Sequence, residues 1–132
     1  MKIIRSDQLL VCDVDGTIIL WPSQAELLAA NPDSLIAFED PYDGATRQVL
    51  AHAPNIKILK DRKLRGCTVI VWSQSGYEWA AEAIRVLGLE QYVDYVASKP
   101  FMALDDLAPA HWLPVTCLPA DSTWAQNTVD KI

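Results

Sequence analysis

Two aspartates, Asp13 and Asp15, stand one residue apart at the end of an apolar run, in the segment LLVCDVDGTIIL of residues 9–20. Carboxylates at the end of a buried strand cost stability unless they are solvated or paired with a positive group. Because Asp and Gly are common turn formers, the D-x-D-G stretch alone is consistent with an ordinary turn. The alternative is a cation between the two carboxylates, and the rest of the chain favours it.

Polar residues also follow the other apolar runs of the chain. Runs at 67–72, 91–98 and 101–104 predict three further strands. They end at Ser73, at Ser98 with Lys99, and at Asp105 with Asp106. Each residue alone could be a helix cap, a solvated lysine or the start of the next segment. In a parallel α/β sheet, however, ligands bind outside the carboxyl ends of the strands, so the coincidence indicates one site.

These residue types suit phosphoryl transfer. A few carboxylates in one place suit Mg²⁺, which keeps several waters. An aspartate can attack phosphorus, and the metal with Lys99 would hold the carboxylate and the phosphate together despite their like charges. Asp15, two residues after Asp13, can protonate the leaving oxygen and then take a proton from water. The Ser73 hydroxyl can bind the phosphate oxygens. Pro100 favours an extended backbone at Lys99.

The elements between these strand ends alternate. Residues 54–66 predict a helix that ends at Gly66, and residues 73–88 predict a second helix with a Ser75–Glu78 capping box and a Gly88 stop. Residues 113–118 predict a fifth strand. Alternating strands and helices predict an α/β fold with a parallel sheet and helices on both faces.

Residues 18–53 interrupt the alternation. Ser23 and Glu26 form a second capping-box pattern within 21–32, and residues 45–52 predict one strand of a hairpin. We interpret this region as a small flap over the end of the first strand, too short for a separate domain. The whole chain, 1–132, is predicted to be one domain, with 120–132 as a terminal helix or interaction arm.

Composition narrows the function classes. The chain has 132 residues, of which 51% are hydrophobic. Its net charge of −6 argues against a general nucleic-acid binder, which usually has a basic face. Its three cysteines are widely spaced and form no C-x-x-C pair, which argues against zinc and disulfides and favours reduced thiols in a cytoplasmic protein. We expect no signal peptide and no membrane span. The cysteines are Cys12, Cys67 and Cys117.

The order of these motifs resembles the haloacid dehalogenase (HAD) superfamily of phosphohydrolases. The resemblance extends from residue 9 to about residue 118. The matching features, in order, are the motif DVDGT, a predicted strand that ends in serine, a Lys-Pro pair, and a predicted strand that ends in Asp-Asp. The segments VWSQSGYEWA and SKPFMALDD are similar to small, phage-type members without a cap domain. The resemblance implies a three-layer, Rossmann-like fold with strand order 3-2-1-4-5 and a small hairpin after the first motif.

The same resemblance assigns roles. Asp13 would be the nucleophile and a Mg²⁺ ligand, and Asp15 the general acid/base that lends its backbone carbonyl to the metal. Thr17 would shape the turn, Ser73 would bind the phosphoryl group, and Lys99 would pair that group with Asp13. The second metal carboxylate would be Asp106, with Asp105 in support, although the two could exchange roles.

Without a large cap, the implied site is open, so the substrate could be large or a partner subunit could close the site. We expect the segment 21–52 to cover it partially, with Trp21 and Arg47 as candidates for touching the leaving group. For Trp21, simple core packing is an equal alternative, and Arg47 is as readily a surface cation. The substrate would be a nucleotide, another phosphorylated small molecule or a nucleic-acid end, and a homodimer is conceivable.

Two other functions compete with a phosphatase. A receiver-type phospho-acceptor domain also clusters acids, a hydroxyl and a lysine on a parallel sheet. It needs its acceptor aspartate after a middle strand, where this chain has Ser73. A catalytically silent binding protein on the same scaffold is the other alternative, although no required residue type is missing.

Overall fold

A computed structural model describes residues 1 and 3–114 of the chain. The predicted arm at 120–132, Cys117 and most of the predicted strand at 113–118 lie outside the described residues.

The central feature is a parallel sheet of three strands: β1 (Leu9–Asp13), β5 (Thr68–Ser73) and β6 (Tyr95–Ser98). Their order is β1-β5-β6, with Asp13 opposite Trp72 and Ser73 opposite Ser98. The three carboxyl ends therefore lie side by side. The predicted α/β class with a parallel sheet is confirmed.

Two long helices connect these strands. Helix α2 (Ala53–Leu64) joins the flap region to β5 and contacts β1 and β5, and α3 (Tyr77–Leu87) joins β5 to β6 and contacts both. Helix α3 ends as predicted at Gly88, whose φ of +66° is readily adopted only by glycine. Both predicted helices are confirmed.

The predicted capping box of α3 is wrong. The helix begins after Gly76, and Ser75 makes no capping hydrogen bond. Instead, the Ser75 amide donates to Ser73 Oγ at 3.0 Å, and its carbonyl accepts from the Tyr42 hydroxyl. The first helical amide, that of Tyr77, donates to Ser98 Oγ at 3.1 Å, so a side chain from β6 takes part of the capping role.

Residues 19–51 form the predicted flap. It contains β2 (Ile19–Leu20), α1 (Gln24–Ala29), β3 (Ile36–Glu39) and β4 (Thr46–Ala51), with β4 central in an antiparallel sheet of order β2-β4-β3. The second capping box is present in part: Ser23 Oγ accepts from the Glu26 amide, and the Glu26 carboxylate accepts from the Ser23 hydroxyl rather than from the Ser23 amide. The antiparallel pairing of β3 with β4 confirms the predicted hairpin.

A common core joins the flap to the parallel sheet. Phe38 and Val49 from the flap pack with Val69 and Val71 of β5 and with the apolar face of α3. Burial of these side chains holds the flap against β5 and α3. The fully buried members of the core are Val14, Ile18, Ile19, Phe38, Val49, Ile56, Val69, Val71, Ala80, Ala83 and Leu89.

The predicted strand at 101–104 is wrong. This stretch has no regular structure, and Phe101, Met102 and Leu104 are exposed. The apolar run follows Pro100, and no strand among the described residues pairs with it. The full order 3-2-1-4-5 stays a prediction, since the described residues contain only the first three parallel strands. Within that part of the chain, no helix has the length and apolar character to cross a bilayer.

Candidate functional site

The loop after β1 holds the Asp13 carboxylate. The amides of Thr17 and Ile18 donate to the Val14 carbonyl at 3.1 and 3.0 Å, and Gly16 adopts φ +76°. This turn brings the Thr17 hydroxyl to 3.3 Å from Asp13 Oδ2. Asn55 of α2 donates to the Thr17 carbonyl at 2.9 Å and ties the turn to the helix. These contacts place Thr17 within the turn, and its role in shaping that turn stays a prediction.

Lys99 reaches Asp13 from the end of β6. Its backbone amide donates to the Ser73 carbonyl at 2.8 Å, which extends the strand pairing by one residue. Its ammonium Nζ then lies 3.7 Å from Asp13 Oδ1. About a third of each side chain is exposed, so the pair adds little to stability and stays accessible to a ligand. The structure therefore brings together these two predicted residues.

Ser73 is buried at the end of the middle strand. It lies on the same face of β5 as Val69 and Val71, and 1% of its surface is exposed. Its Oγ accepts the Ser75 amide at 3.0 Å, which leaves the hydroxyl hydrogen for another acceptor. Ser73 is therefore next to Lys99 through the backbone and next to the loop that opens α3.

Asp15 is held by two tryptophans. Its Oδ1 accepts the indole N–H of Trp21 at 2.8 Å and that of Trp79 at 3.2 Å. Trp21 follows β2 in the flap, whereas Trp79 lies in the first turn of α3. The sequence singled out Trp21 for the site and gave Trp79 no role there.

An aromatic cluster surrounds this contact. Trp21, Phe38 and Trp79 have ring centroids 4.7–5.9 Å apart, and the Tyr42 ring stacks on Trp79 at an angle of 12°. The Tyr42 hydroxyl donates to the Ser75 carbonyl. The cluster therefore fastens the flap to the loop after β5. The sequence did not single out Tyr42, because a tyrosine in a turn carries no local signal for a bond to the distant Ser75 carbonyl.

Arg47 forms its ion pairs with acidic residues of the hairpin turn rather than with the Asp13–Lys99 pair. Its guanidinium is 3.9 Å from Asp40 and 4.0 Å from Asp43, both in the hairpin turn, and half of its side chain is exposed. Asp40 also accepts the Tyr42 amide at 2.8 Å. The alternative of a surface cation therefore describes Arg47 better than contact with a leaving group.

Asp105 and Asp106 do not complete a metal centre. Both are exposed, and Asp105 Oδ1 accepts the Leu107 amide at 3.0 Å, a bond that lowers the pKa of Asp105. Within residues 1 and 3–114, no three His, Cys, Asp or Glu residues are grouped so that they could hold one metal ion. The predicted set of four aspartates is therefore not gathered around one ion in this structure.

Cys12 stands directly before Asp13 but is a poor nucleophile. Burial, reinforced by the neighbouring Asp13 charge, raises the pKa of the Cys12 thiol to about 12. Because the thiolate is the reactive form, this raised pKa disfavours Cys12 as a nucleophile.

Known proteins give no direct identification. No family model, no curated protein and no solved structure matches the chain. The resemblance to the HAD superfamily therefore depends on the motifs quoted above. The function has to be argued from the geometry around Asp13, Asp15, Ser73 and Lys99.

Proposed function

We propose that the protein is a Mg²⁺-dependent phosphohydrolase that uses Asp13 as its nucleophile. One observation carries the proposal: the Lys99 ammonium lies 3.7 Å from the Asp13 carboxylate at the carboxyl end of the parallel sheet. A cation beside a carboxylate is what a dianionic phosphate ester needs in order to approach that carboxylate. Ser73 and Asp15 supply the remaining chemistry from the ends of the neighbouring elements.

Asp13 would form the covalent intermediate. The Thr17 hydroxyl holds Oδ2, and Oδ1 faces Lys99. Attack by a carboxylate oxygen on phosphorus forms the O–P bond of an aspartyl-phosphate and breaks the bond between phosphorus and the leaving oxygen. Lys99 would neutralise one of the phosphoryl oxygens during this transfer, and the Ser73 O–H would donate to another.

Asp15 would carry the protons in both halves of the reaction. As the P–O bond breaks, the protonated Asp15 gives its proton to the leaving oxygen, which departs as an alcohol. The resulting carboxylate then takes a proton from water while the hydroxide attacks phosphorus. The second step breaks the bond to Asp13, releases phosphate and restores both aspartates.

The donor set at the first loop fits Mg²⁺. This ion is commonly held by one or two carboxylates and completes its shell with waters and substrate phosphate. The Asp13 carboxylate and the Asp15 backbone carbonyl would hold it, and waters would take the positions for which the sequence had nominated Asp106 and Asp105. When bound, the ion supplies positive charge that draws the phosphate to Asp13 and stabilises the transferring phosphoryl group.

The substrate proposed is a phosphate monoester: a nucleotide, another small phosphometabolite or a nucleic-acid end. The net charge of −6 favours a compact substrate over a long polynucleotide, whose binding usually recruits lysine and arginine. A cytoplasmic location, a homodimer and the Rossmann-like strand order 3-2-1-4-5 belong to the same proposal. The location is supported by the cysteine pattern, and the homodimer and the strand order are supported by the resemblance.

An aryl phosphate assay tests the function. Wild-type protein with Mg²⁺ should hydrolyse p-nitrophenyl phosphate, and EDTA should abolish the activity. Asp13→Asn should lose at least about 10³-fold in kcat, because its amide cannot form the acyl phosphate. The matched control is Asp7→Asn, which changes a carboxylate paired with exposed Arg5 and should leave the activity unchanged. Wild-type protein inert toward every phosphate ester would support a silent binding protein instead.

A further inference from the structure

The two hydrogen bonds on Asp15 Oδ1 are unusual for a candidate acid/base. A carboxylate oxygen has two lone pairs, and the two indole N–H groups use both of them. Among the described residues, no donor is hydrogen-bonded to Oδ2. The two oxygens of one carboxylate are thereby made inequivalent.

Packing fixes both indoles. Trp79 is 92% buried, with its ring 4.7 Å from that of Phe38, and the Trp21 and Trp79 rings lie 5.9 Å apart. Trp21 is 37% exposed, and its ring meets Phe38 edge to face. Trp21 belongs to the flap and Trp79 to α3, so the two bonds fix the position of the Asp15 carboxylate relative to both elements. The side chain of Asp15 therefore cannot rotate without losing both bonds.

We propose that Trp21 and Trp79 are positioning residues that lock the Asp15 carboxylate, so that Oδ2 alone exchanges protons with the leaving oxygen and with water. The inference rests on the proposed function and extends it to two residues outside the motifs. An acid/base group is effective only when its proton lies within hydrogen-bond reach of the reacting oxygen. A freely rotating carboxylate would place the proton on either oxygen and lose that alignment.

The purely structural alternative is that the bonds only fasten the flap to α3. The two roles differ in their dependence on the leaving group. Phenolate and alkoxide leaving groups need a proton as the P–O bond breaks, whereas p-nitrophenolate departs with little assistance. A positioning role therefore affects poor leaving groups most, whereas a purely structural role affects all substrates equally.

The test compares kcat for phenyl phosphate and p-nitrophenyl phosphate in Trp21→Phe and Trp79→Phe. Phenylalanine keeps an aromatic ring but removes the N–H donor. The expected result is a loss of about 10-fold or more in kcat for phenyl phosphate in each variant, with a smaller loss for p-nitrophenyl phosphate and little change in KM. Trp112→Phe, which changes an exposed tryptophan outside this cluster, is the matched control and should leave both substrates unchanged.

Equal losses on both substrates, or none, would overturn the positioning role while leaving the phosphatase proposal intact. A wild-type protein with no turnover on any phosphate ester would overturn both. Should Trp79→Phe fail to fold, the half-exposed Trp21→Phe still decides the outcome.

A second measurement examines the contact without turnover. The indole N–H resonances of the five tryptophans can be recorded by ¹⁵N NMR and assigned by single Trp→Phe substitutions. Asp15→Asn replaces the charged acceptor and should shift the Trp21 and Trp79 resonances but not that of Trp112. Unshifted Trp21 and Trp79 resonances would contradict the proposed lock.

Discussion

The Lys99 amide donates to the Ser73 carbonyl at 2.8 Å, so the pairing of β6 with β5 continues past the last strand residue. This bond sets the direction in which the Lys99 side chain leaves the sheet. Its ammonium consequently reaches Asp13 across the end of the intervening strand β5. Lys99, which we propose as a phosphate-binding residue, is thus placed by backbone geometry rather than by its own ion pair.

Replacing Lys99 should separate activity from stability. Lys99→Met keeps most of the aliphatic stem but removes the charge, and we expect kcat/KM to fall by about 10²-fold or more. The melting temperature should barely change, because a pair this exposed is worth about 0–1 kcal/mol. Lys57→Met, an exposed lysine of α2, is the control and should retain activity. An active Lys99→Met protein would remove Lys99 from the site.

We expect any substitution of Gly76 to destabilise the fold, because the Tyr42 hydroxyl lies close to it. Its φ of +109° strains any other residue, and a Cβ there would collide with the Tyr42 hydroxyl. Gly76→Ala should therefore lower the free energy of unfolding by more than about 2 kcal/mol in urea denaturation. Gly66→Ala, at φ +98° with no atom within 4 Å of the new Cβ, should cost less.

A double variant isolates the collision from the strain. Tyr42→Phe removes the hydroxyl, so Gly76→Ala should cost less in that background than in the wild type. An equal cost in both backgrounds would mean that the Tyr42 hydroxyl does not constrain Gly76.

Glu82 should make stability depend on pH at the acid end. Its carboxylate accepts two bonds from Arg85 at 2.7 Å and the Glu39 amide at 3.1 Å, and the Arg85 bonds contribute most to lowering the pKa of Glu82. Since the folded pKa lies below the unfolded value, the stabilisation is present above about pH 4.5 and is lost as the pH falls through the folded pKa.

Glu82→Gln should accordingly lower the free energy of unfolding by about 1 kcal/mol at pH 7 and by little at pH 3. Denaturation curves at several pH values measure the difference. Glu78→Gln, an exposed residue of the same helix, should show a much smaller change. A loss from Glu82→Gln that is the same at both pH values would rule out the charged hydrogen bonds as its source.

The sequence predicted the parts of the fold that follow local rules. Continuous apolar runs identified β1 and β5, helical spacing and glycine stops identified α2 and α3, and a polar residue after each strand marked the carboxyl edge of the sheet. These signals are local because strand burial and helix termination are set by neighbouring residues.

Long-range contacts were not predictable in this way. Ser75 has the pattern of a helix cap, but its backbone groups bond to Tyr42 and Ser73, and the helix begins after Gly76. Residues 101–104 have a strand pattern, but no strand in the part of the chain that the structure describes pairs with them. Trp79 fits an apolar stripe, and its second role depends on a carboxylate in a loop distant along the chain. Such contacts depend on tertiary packing, which a single sequence does not encode locally.

The central claim is that Asp13 becomes phosphorylated during turnover, and acid quenching measures this directly. Asp15→Asn protein, in which the water-attack step lacks its base, is mixed with Mg²⁺ and p-nitrophenyl phosphate, quenched in acid and digested for mass spectrometry. We predict a phosphoryl group on Asp13 that is absent when Asp13→Asn is added to the same protein. Phosphate ester turnover by wild-type protein without any label on Asp13, or retained by Asp13→Asn, would contradict the account.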